Sequence, residues 1–202
     1  MRILSLPSMT NTSSLLASIN KHIALEASEI ILFTSMLRAT HIKQGEFIET
    51  AGIVTTHFIH VLSGCLMTYY SDKDGHDHVI QFAMAGWWTG DPQSLTEQVP
   101  SIYSTRALVD SEVLLLPKTD MDRLLVEAPK FERFFRILYQ NSLVTHQNRI
   151  IQNFSATAEE RYENFRKKYP ALEQYVPLKY IASYLGFTPE FLSKIRRKQL
   201  DR

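Results

Sequence analysis

The 202-residue chain sets 22 Lys and Arg against 21 Asp and Glu, a balance that argues against a general nucleic-acid binder. Its apolar and charged fractions, 45% and 21%, are those of an ordinary folded chain long enough for one or two domains. A single cysteine, Cys65, excludes an internal disulfide framework and any cysteine-only metal or iron–sulfur site within one chain.

The N-terminal stretch MRILSLPSMTNTSS is a poor signal peptide. No apolar run approaches the roughly 18–20 residues of a membrane span, so no membrane partner is expected and a cytoplasmic address is the default. Residues 1–14, rich in Ser, Thr and Asn, read as loose. Leu15, Leu16, Ile19 and Ile23, then Ile30, Ile31, Phe33 and Leu37, fall at helical spacing and predict two helices, the second starting near Ser28 and Glu29.

From about residue 38 the pattern changes to short β segments punctuated by Gly45, Gly52, Gly64, Gly75, Gly86 and Gly90. Many short strands with regular turn signals predict a sandwich, barrel or jelly roll. Ser71–Gly75, SDKDG, is a candidate hairpin turn. Trp87 and Trp88 read as one buried and one partly exposed, with core packing favoured over a pocket role.

After Pro117 the helical period returns. Thr119 or Asp120 is the expected cap of MDRLLVEA, and Pro129 opens a long helix running to about Phe154. Phe131, Phe134, Phe135 and Leu138 supply its early apolar positions; Leu143, Val144, Ile150, Ile151 and Phe154 supply the later ones. That stripe is too long for a small barrel to cover, so the helix is expected to pack on its own β domain and pair with a twin. Ser155, with Glu159 and Glu160, starts a further helix that Pro170 stops, and Leu172 and Tyr175 bridge to the last segment.

Residues 176–202, VPLKYIASYLGFTPEFLSKIRRKQLDR, read as two short helices broken at Gly186. Pro177 opens the first, and Leu178, Ile181, Ala182 and Leu185 form its buried face. Gly186 suits a helix C′ position. Thr188 is the expected N-cap of the second, Pro189 its first residue, and Leu192 and Ile195 turn back toward the first helix. This is a helix-turn-helix, whose second helix fits the major groove. Glu190 can accept from cytosine, Lys194 can reach guanine, and Ser193 can serve base or phosphate. Arg196, Arg197 and Lys198 suit phosphates, and Thr188 stands at the same edge. Residues 155–202 hold 10 Lys and Arg against 6 Asp and Glu, whereas residues 1–154 hold 12 against 15. A basic tail on a mildly acidic body is the charge pattern of a DNA-facing end.

The order of these parts, together with GEFIETAG (45–52), FIHVLSG (58–64), AMAGWWTGD (83–91) and the terminal two-helix unit, resembles the Crp/Fnr family of transcription regulators from about residue 25 to 200. The resemblance implies an α+β chain in three parts. An N-terminal β-roll (double-stranded β-helix or jelly roll) with flanking helices spans 1–128 as a cyclic-nucleotide-binding-like effector domain. A long dimerisation helix spans 129–154, and a helix-turn-helix DNA-binding domain spans 155–202. It further implies an effector pocket at Gly90, Asp91, Ser101 and Arg106, a near-palindromic operator on double-stranded DNA, a homodimer through 129–154, and RNA polymerase as a further partner. The family's recognition helix carries Glu, two residues, then Ser-Arg; here Glu190, Ser193 and Lys194 stand there, with Lys in place of Arg. Members that bind cyclic AMP place Arg-Ser about ten residues after a Gly-Glu. This chain has Ser101–Ile102 there and no cation until Arg106, so control by cyclic AMP is not expected and no cofactor is assigned. The family's β-hairpin wing after the recognition helix has no counterpart before Arg202, so phosphate contacts are expected to rest on the helix and its basic tail.

No catalytic residue is assigned, since phosphate-loop, Gly-x-Ser-x-Gly and paired-carboxylate motifs are absent from the sequence. His76 and His78 could share a strand face, but a metal needs three or four ligands, so no metal site is assigned. His57 and His60 fall on opposite faces of one strand, and His146 lies in the polar THQNR interruption of the long helix. The competing reading is a β-roll signalling or cupin-like module with a protein-binding helical tail.

Overall fold

Apolar alternation and positive-φ glycines turn the middle of the chain into eight strands: β1 (Arg38–Ile42), β2 (Phe47–Glu49), β3 (His57–Ser63), β4 (Cys65–Ser71), β5 (Asp77–Met84), β6 (Trp88–Thr89), β7 (Ser104–Ala107) and β8 (Ser111–Pro117). The computed structural model describes residues 9–170, 172–174 and 176–200. Two antiparallel sheets, ordered β1-β8-β3-β6 and β2-β7-β4-β5, close on a shared apolar layer of Ile42, Ile59, Val61, Leu66, Ala83, Ala107, Val113 and Leu115. Gly64 joins β3 to β4 at φ +88°, where a Cβ would lie 2.2 Å from the Ser111 hydroxyl. That hydroxyl accepts the Cys65 N–H at 3.1 Å, so glycine is required both by conformation and by space.

Helices cover both outer faces. Over the first sheet lie α1 (Met9–Asn20), α2 (Ala27–Met36), α4 (Lys118–Glu127) and the start of α5 (Lys130–Ser155), burying Leu15, Ile19, Phe33, Leu124, Phe131 and Phe134 against Phe58, Leu114 and Leu116. Over the second lie α6 (Ala158–Lys168), a 3₁₀ turn (Leu172–Gln174), α7 (Leu178–Leu185) and α8 (Pro189–Leu200). Their Tyr162, Phe165, Tyr169, Ile181 and Tyr184 share one apolar cluster with Cys65, Met67, Tyr69, Val79 and Phe82 of β4 and β5. Phe82 is its centre, fully buried with the rings of Phe165, Tyr169 and Tyr184 at 6.3, 5.8 and 5.4 Å. Burying such a ring contributes about 2 kcal/mol, so the C-terminal helices are firmly seated. Polar clamps add register. Ser183 accepts the Val79 N–H at 2.9 Å and donates to the Asp77 carbonyl at 2.7 Å, and Arg106 donates to the Tyr180 hydroxyl.

The structure corrects several sequence-based boundaries. Residues 9–14, expected to be loose, are the first turns of α1, with Thr12 buried; residues 1–8 lie outside the described residues. Neither Thr119 nor Asp120 caps α4; Pro117 precedes it and both lie inside the first turn. Ser155 ends α5 instead of starting α6, whose N-cap is Thr157 in a capping box with Glu160. Pro177 stands at the N-cap position of α7, one residue before its first turn. The bridging role expected of Tyr175 lies outside the described residues. Among the described residues no helix is long and apolar enough to cross a membrane.

Candidate nucleic-acid interface and effector region

The α7–α8 unit is built as its residue order dictates. Ile181, Ala182 and Leu185 bury one face of α7, and Gly186 ends it in the left-handed region at φ +69°. The Phe187 N–H then reaches back to the Ala182 carbonyl at 2.8 Å, closing the helix end. Thr188 accepts the Phe191 N–H at 3.2 Å as the α8 cap, and Leu192 and Ile195 are buried. At about 100° per residue, Glu190, Ser193, Lys194 and Arg197 then fall on one face, opposite Leu192 and Ile195. All four are exposed.

The three other sequence-assigned positions are exposed but engaged differently. The Thr188 hydroxyl serves as the cap just described. Lys198 leans to Glu159 of α6 at 2.9 Å, an exposed pair of small energetic weight. Arg196 lies at the side of the helix near Tyr162, whose hydroxyl donates to Glu173. Ser193 donates to the Pro189 carbonyl at 2.9 Å. Sequence reasoning missed Phe187 and Phe191, an edge-to-face pair 5.4 Å apart at the start of α8. It also missed Arg161, which stacks 4.6 Å over Phe187 and donates to the Leu185 carbonyl at the α7 C-terminus. An arginine four residues into α6 gives no sequence signal of that contact, which exists only once α6 and α7 are packed.

The expected effector residues separate into two places. Gly90 at φ +134° lies with Phe58, His57 and the Glu49 carboxylate around it. Asp91 is buried, and its carboxylate accepts the N–H groups of Gln93 and Ser94 at 3.0 and 3.2 Å, capping the short helix α3 (Pro92–Glu97). Ser101 accepts the Tyr103 N–H at 3.0 Å. Arg106 is not with them: on β7 its neighbours Thr105 and Ala107 face the interior, so its own side chain points outward to Tyr180 and 5.2 Å over Tyr69. Strand alternation, invisible until β7 was placed, decides this.

The roll interior instead holds a chain of hydroxyls ending in a carboxylate that sequence reasoning did not single out. Glu49 accepts from Thr105 at 2.8 Å and Thr55 at 3.2 Å, and Thr68 links Thr105 and Thr89 at 2.9 and 3.2 Å. Burial pushes the Glu49 carboxyl above its ordinary 4.5, and the nearby Asp91 charge adds to the rise. The helix-terminal N–H groups that could receive a phosphate are already held by Asp91, and the neighbouring charge is negative.

Elsewhere, His76 and His78 are exposed beside Asp72, whose carboxyl is held down at about 2, first by the His78 contact. No group of three metal-ligating side chains forms among the described residues. Cys65 is buried and its thiol pushed up to about 12 by that burial. Along α5, Phe131, Phe134 and Phe135 are buried, whereas Leu143, Val144, Ile150, Ile151 and Phe154 are exposed, Phe154 at 86%.

Residues 39–128 match the family described as the cyclic nucleotide-binding domain. The chain is 27% identical over 182 residues to the nitrogen fixation regulation protein FixK of Bradyrhizobium diazoefficiens, covering 85% of this chain and 75% of that protein. Its fold is that of FixK2 from Bradyrhizobium japonicum, with a TM-score of 0.70 and 18% identity over 79% of this chain and 82% of that one. It is also that of the c-di-GMP-responsive global regulator CLP of Xanthomonas campestris, with a TM-score of 0.68 and 14% identity over 87% of this chain and 92% of that one.

Proposed function

We propose, from the premise that the chain is a homologue of the Crp/Fnr regulators carrying a cyclic nucleotide-binding domain at residues 39–128, that it is a DNA-binding transcription regulator. It acts as a homodimer on a near-palindromic operator and is not controlled by cyclic AMP. In this reading residues 1–128 are the effector domain, 129–154 the dimerisation helix and 155–202 the DNA-binding domain. A cytoplasmic address and contact with RNA polymerase belong to the same reading, and no catalytic role is assigned to any residue.

The observation that carries it is the exposed α8 face of Glu190, Ser193, Lys194 and Arg197 over the packed Leu192 and Ile195. A helix so presented projects base-reading and phosphate-binding groups together. The exposed apolar stripe of α5 supports pairing with a second copy, which would set two such helices about one DNA turn apart. Independence from cyclic AMP is supported by the acidic roll interior and by Arg106 facing away from it, which leave a cyclic phosphate without a charge partner.

Selection of bound sequences from a random duplex library, without added ligand, tests the reading. A two-fold-related motif should emerge, and its affinity should not change on adding cyclic AMP. Lys194→Ala with Arg197→Ala should lower operator affinity, relax base preference through the lost Lys194 contact, and reduce the salt slope by about 1 through the lost Arg197 phosphate contact. A protein-binding helical tail would instead yield no motif and no effect of the double variant on DNA binding.

A further inference from the structure

The start of α8 carries an exposed aromatic ring where the rest of its outer surface presents charge. Phe191 is 46% exposed. At about 100° per residue it lies about 60° around the helix from Lys194 and about 20° from Lys198. The fold does not need it as an anchor. Leu192 and Ile195, on the inner side of the same helix, are 0% and 4% exposed and already tie α8 into the cluster beneath it. Leu192 is also the fourth helical residue, the place where an apolar side chain fixes the entry of a chain into a helix.

The ring is nonetheless held. Phe187, the residue before the Thr188 cap, meets it edge to face at 5.4 Å. The Arg161 guanidinium lies 4.6 Å over Phe187 and donates to the Leu185 carbonyl, which ties the turn to α6. Thr188 accepts the Phe191 N–H at 3.2 Å, so the backbone beneath the ring is fixed as well. The aromatic pair and its cationic cover restrict the ring before any partner arrives, which lowers the entropy left to lose on binding.

Helical side chains lean toward the helix N-terminus, so this ring stands at the leading end of α8. In a helix that enters the major groove, the N-terminal residues come nearest the base edges. A phenyl ring has no hydrogen-bonding group, so it suits neither a phosphate nor the polar base atoms that Glu190 and Lys194 can reach. Of the four bases only thymine offers an apolar group in that groove, its C5 methyl.

We propose that Phe191 determines specificity by packing on the C5 methyl of one thymine in each operator half-site. Phe187, covered by Arg161, acts as the positioning residue that holds the ring for that contact. The inference rests on the regulator reading above and adds to it one base that the charged face of α8 does not read.

Deoxyuridine is the probe, because it lacks only the C5 methyl of deoxythymidine and keeps every hydrogen-bonding atom. Each thymine of the motif selected from the random library is replaced in turn, in both half-sites. Affinity is then measured by fluorescence anisotropy at several salt concentrations. One position should lose about fourfold per half-site, the worth of one buried methyl. In Phe191→Ala the thymine operator should bind more weakly and that uracil penalty should vanish, the test of direct coupling between ring and methyl. The salt slope should stay as it was, since no charge is lost. Leu192 and Ile195 remain in place, so this variant keeps the fold. Phe187→Leu, which keeps an apolar side chain at the turn, should shrink the same penalty with the circular dichroism unchanged. An equal uracil penalty in Phe191→Ala and the natural chain overturns the proposal, as does a half-site in which no thymine responds. Absence of any motif overturns the regulator reading and this inference together, whereas a motif indifferent to the methyl overturns this inference alone.

Discussion

Replacing His60 with leucine should remove about 2 kcal/mol of the protein's loss of stability between about pH 7.5 and about pH 5. His60 lies on β3 across from Trp88 and Leu114, fully buried, with its ring 4.9 Å from the Trp88 ring and Nδ1 without a partner among the described residues. Burial with no compensating charge lowers its pKa from the ordinary 6.5 to about 4. The unfolded chain takes a proton near 6.5 while the folded chain refuses it until about 4. The stability is therefore complete above 6.5 and is lost as the pH falls from there through 4. At about 1.4 kcal/mol per unit the full loss is about 3 kcal/mol, of which about 2 kcal/mol falls between pH 7.5 and 5. With a urea slope of about 2 kcal/mol per molar, His60 alone should lower the unfolding midpoint of the natural chain by about 1 M over that range. His60→Leu should show a drop smaller by that amount, measured by tryptophan fluorescence at one fixed protomer concentration. His57 and His146, also lowered by burial, stay in both proteins and cancel in the comparison. An equal midpoint shift in natural and variant chains would refute the reasoning.

Gly64→Ala should destabilise the fold by about 3 kcal/mol in chemical denaturation, since a Cβ there meets the Ser111 hydroxyl, the Asp110 carbonyl and a left-handed backbone together. Glu49→Gln should raise the melting temperature at neutral pH. The folded pKa of Glu49 is raised, so its ionised form is penalised, and the gain should shrink as the pH falls toward 4.5 in a series of melts. The proposed homodimer should be lost in Ile151→Ser with Phe154→Ser, read as a monomer in sedimentation velocity with the far-ultraviolet circular dichroism unchanged, since both side chains are exposed in the single chain. Thr157→Ala should cost about 1 kcal/mol by removing the capping box of α6.

The sequence by itself determined the local elements. Short segments punctuated by glycine placed the strands from Arg38 onward, and Gly186, Thr188 and Pro189 placed the α7–α8 turn to the residue, because caps and positive-φ positions are local chemistry. The division of α5 into a buried start and an exposed end was legible too, since its apolar stripe runs longer than one small domain can cover. The first turn of α1 was not legible, because Thr12, Ser13 and Ser14 offer no large apolar side chain to mark a helix in sequence. Tertiary structure alone decided where Arg106 points. One step along a strand exchanges interior for exterior, and the same arginine that seemed to answer a ligand's charge holds Tyr180 of α7 instead. It decided likewise that Glu49, read only as part of the GEFIETAG stretch, closes the roll interior with four threonines. It also gathered Arg149 and Lys168, 19 residues apart on two helices, onto one aromatic wall. Contacts between elements distant in sequence depend on how their faces pack, and no local pattern encodes that packing.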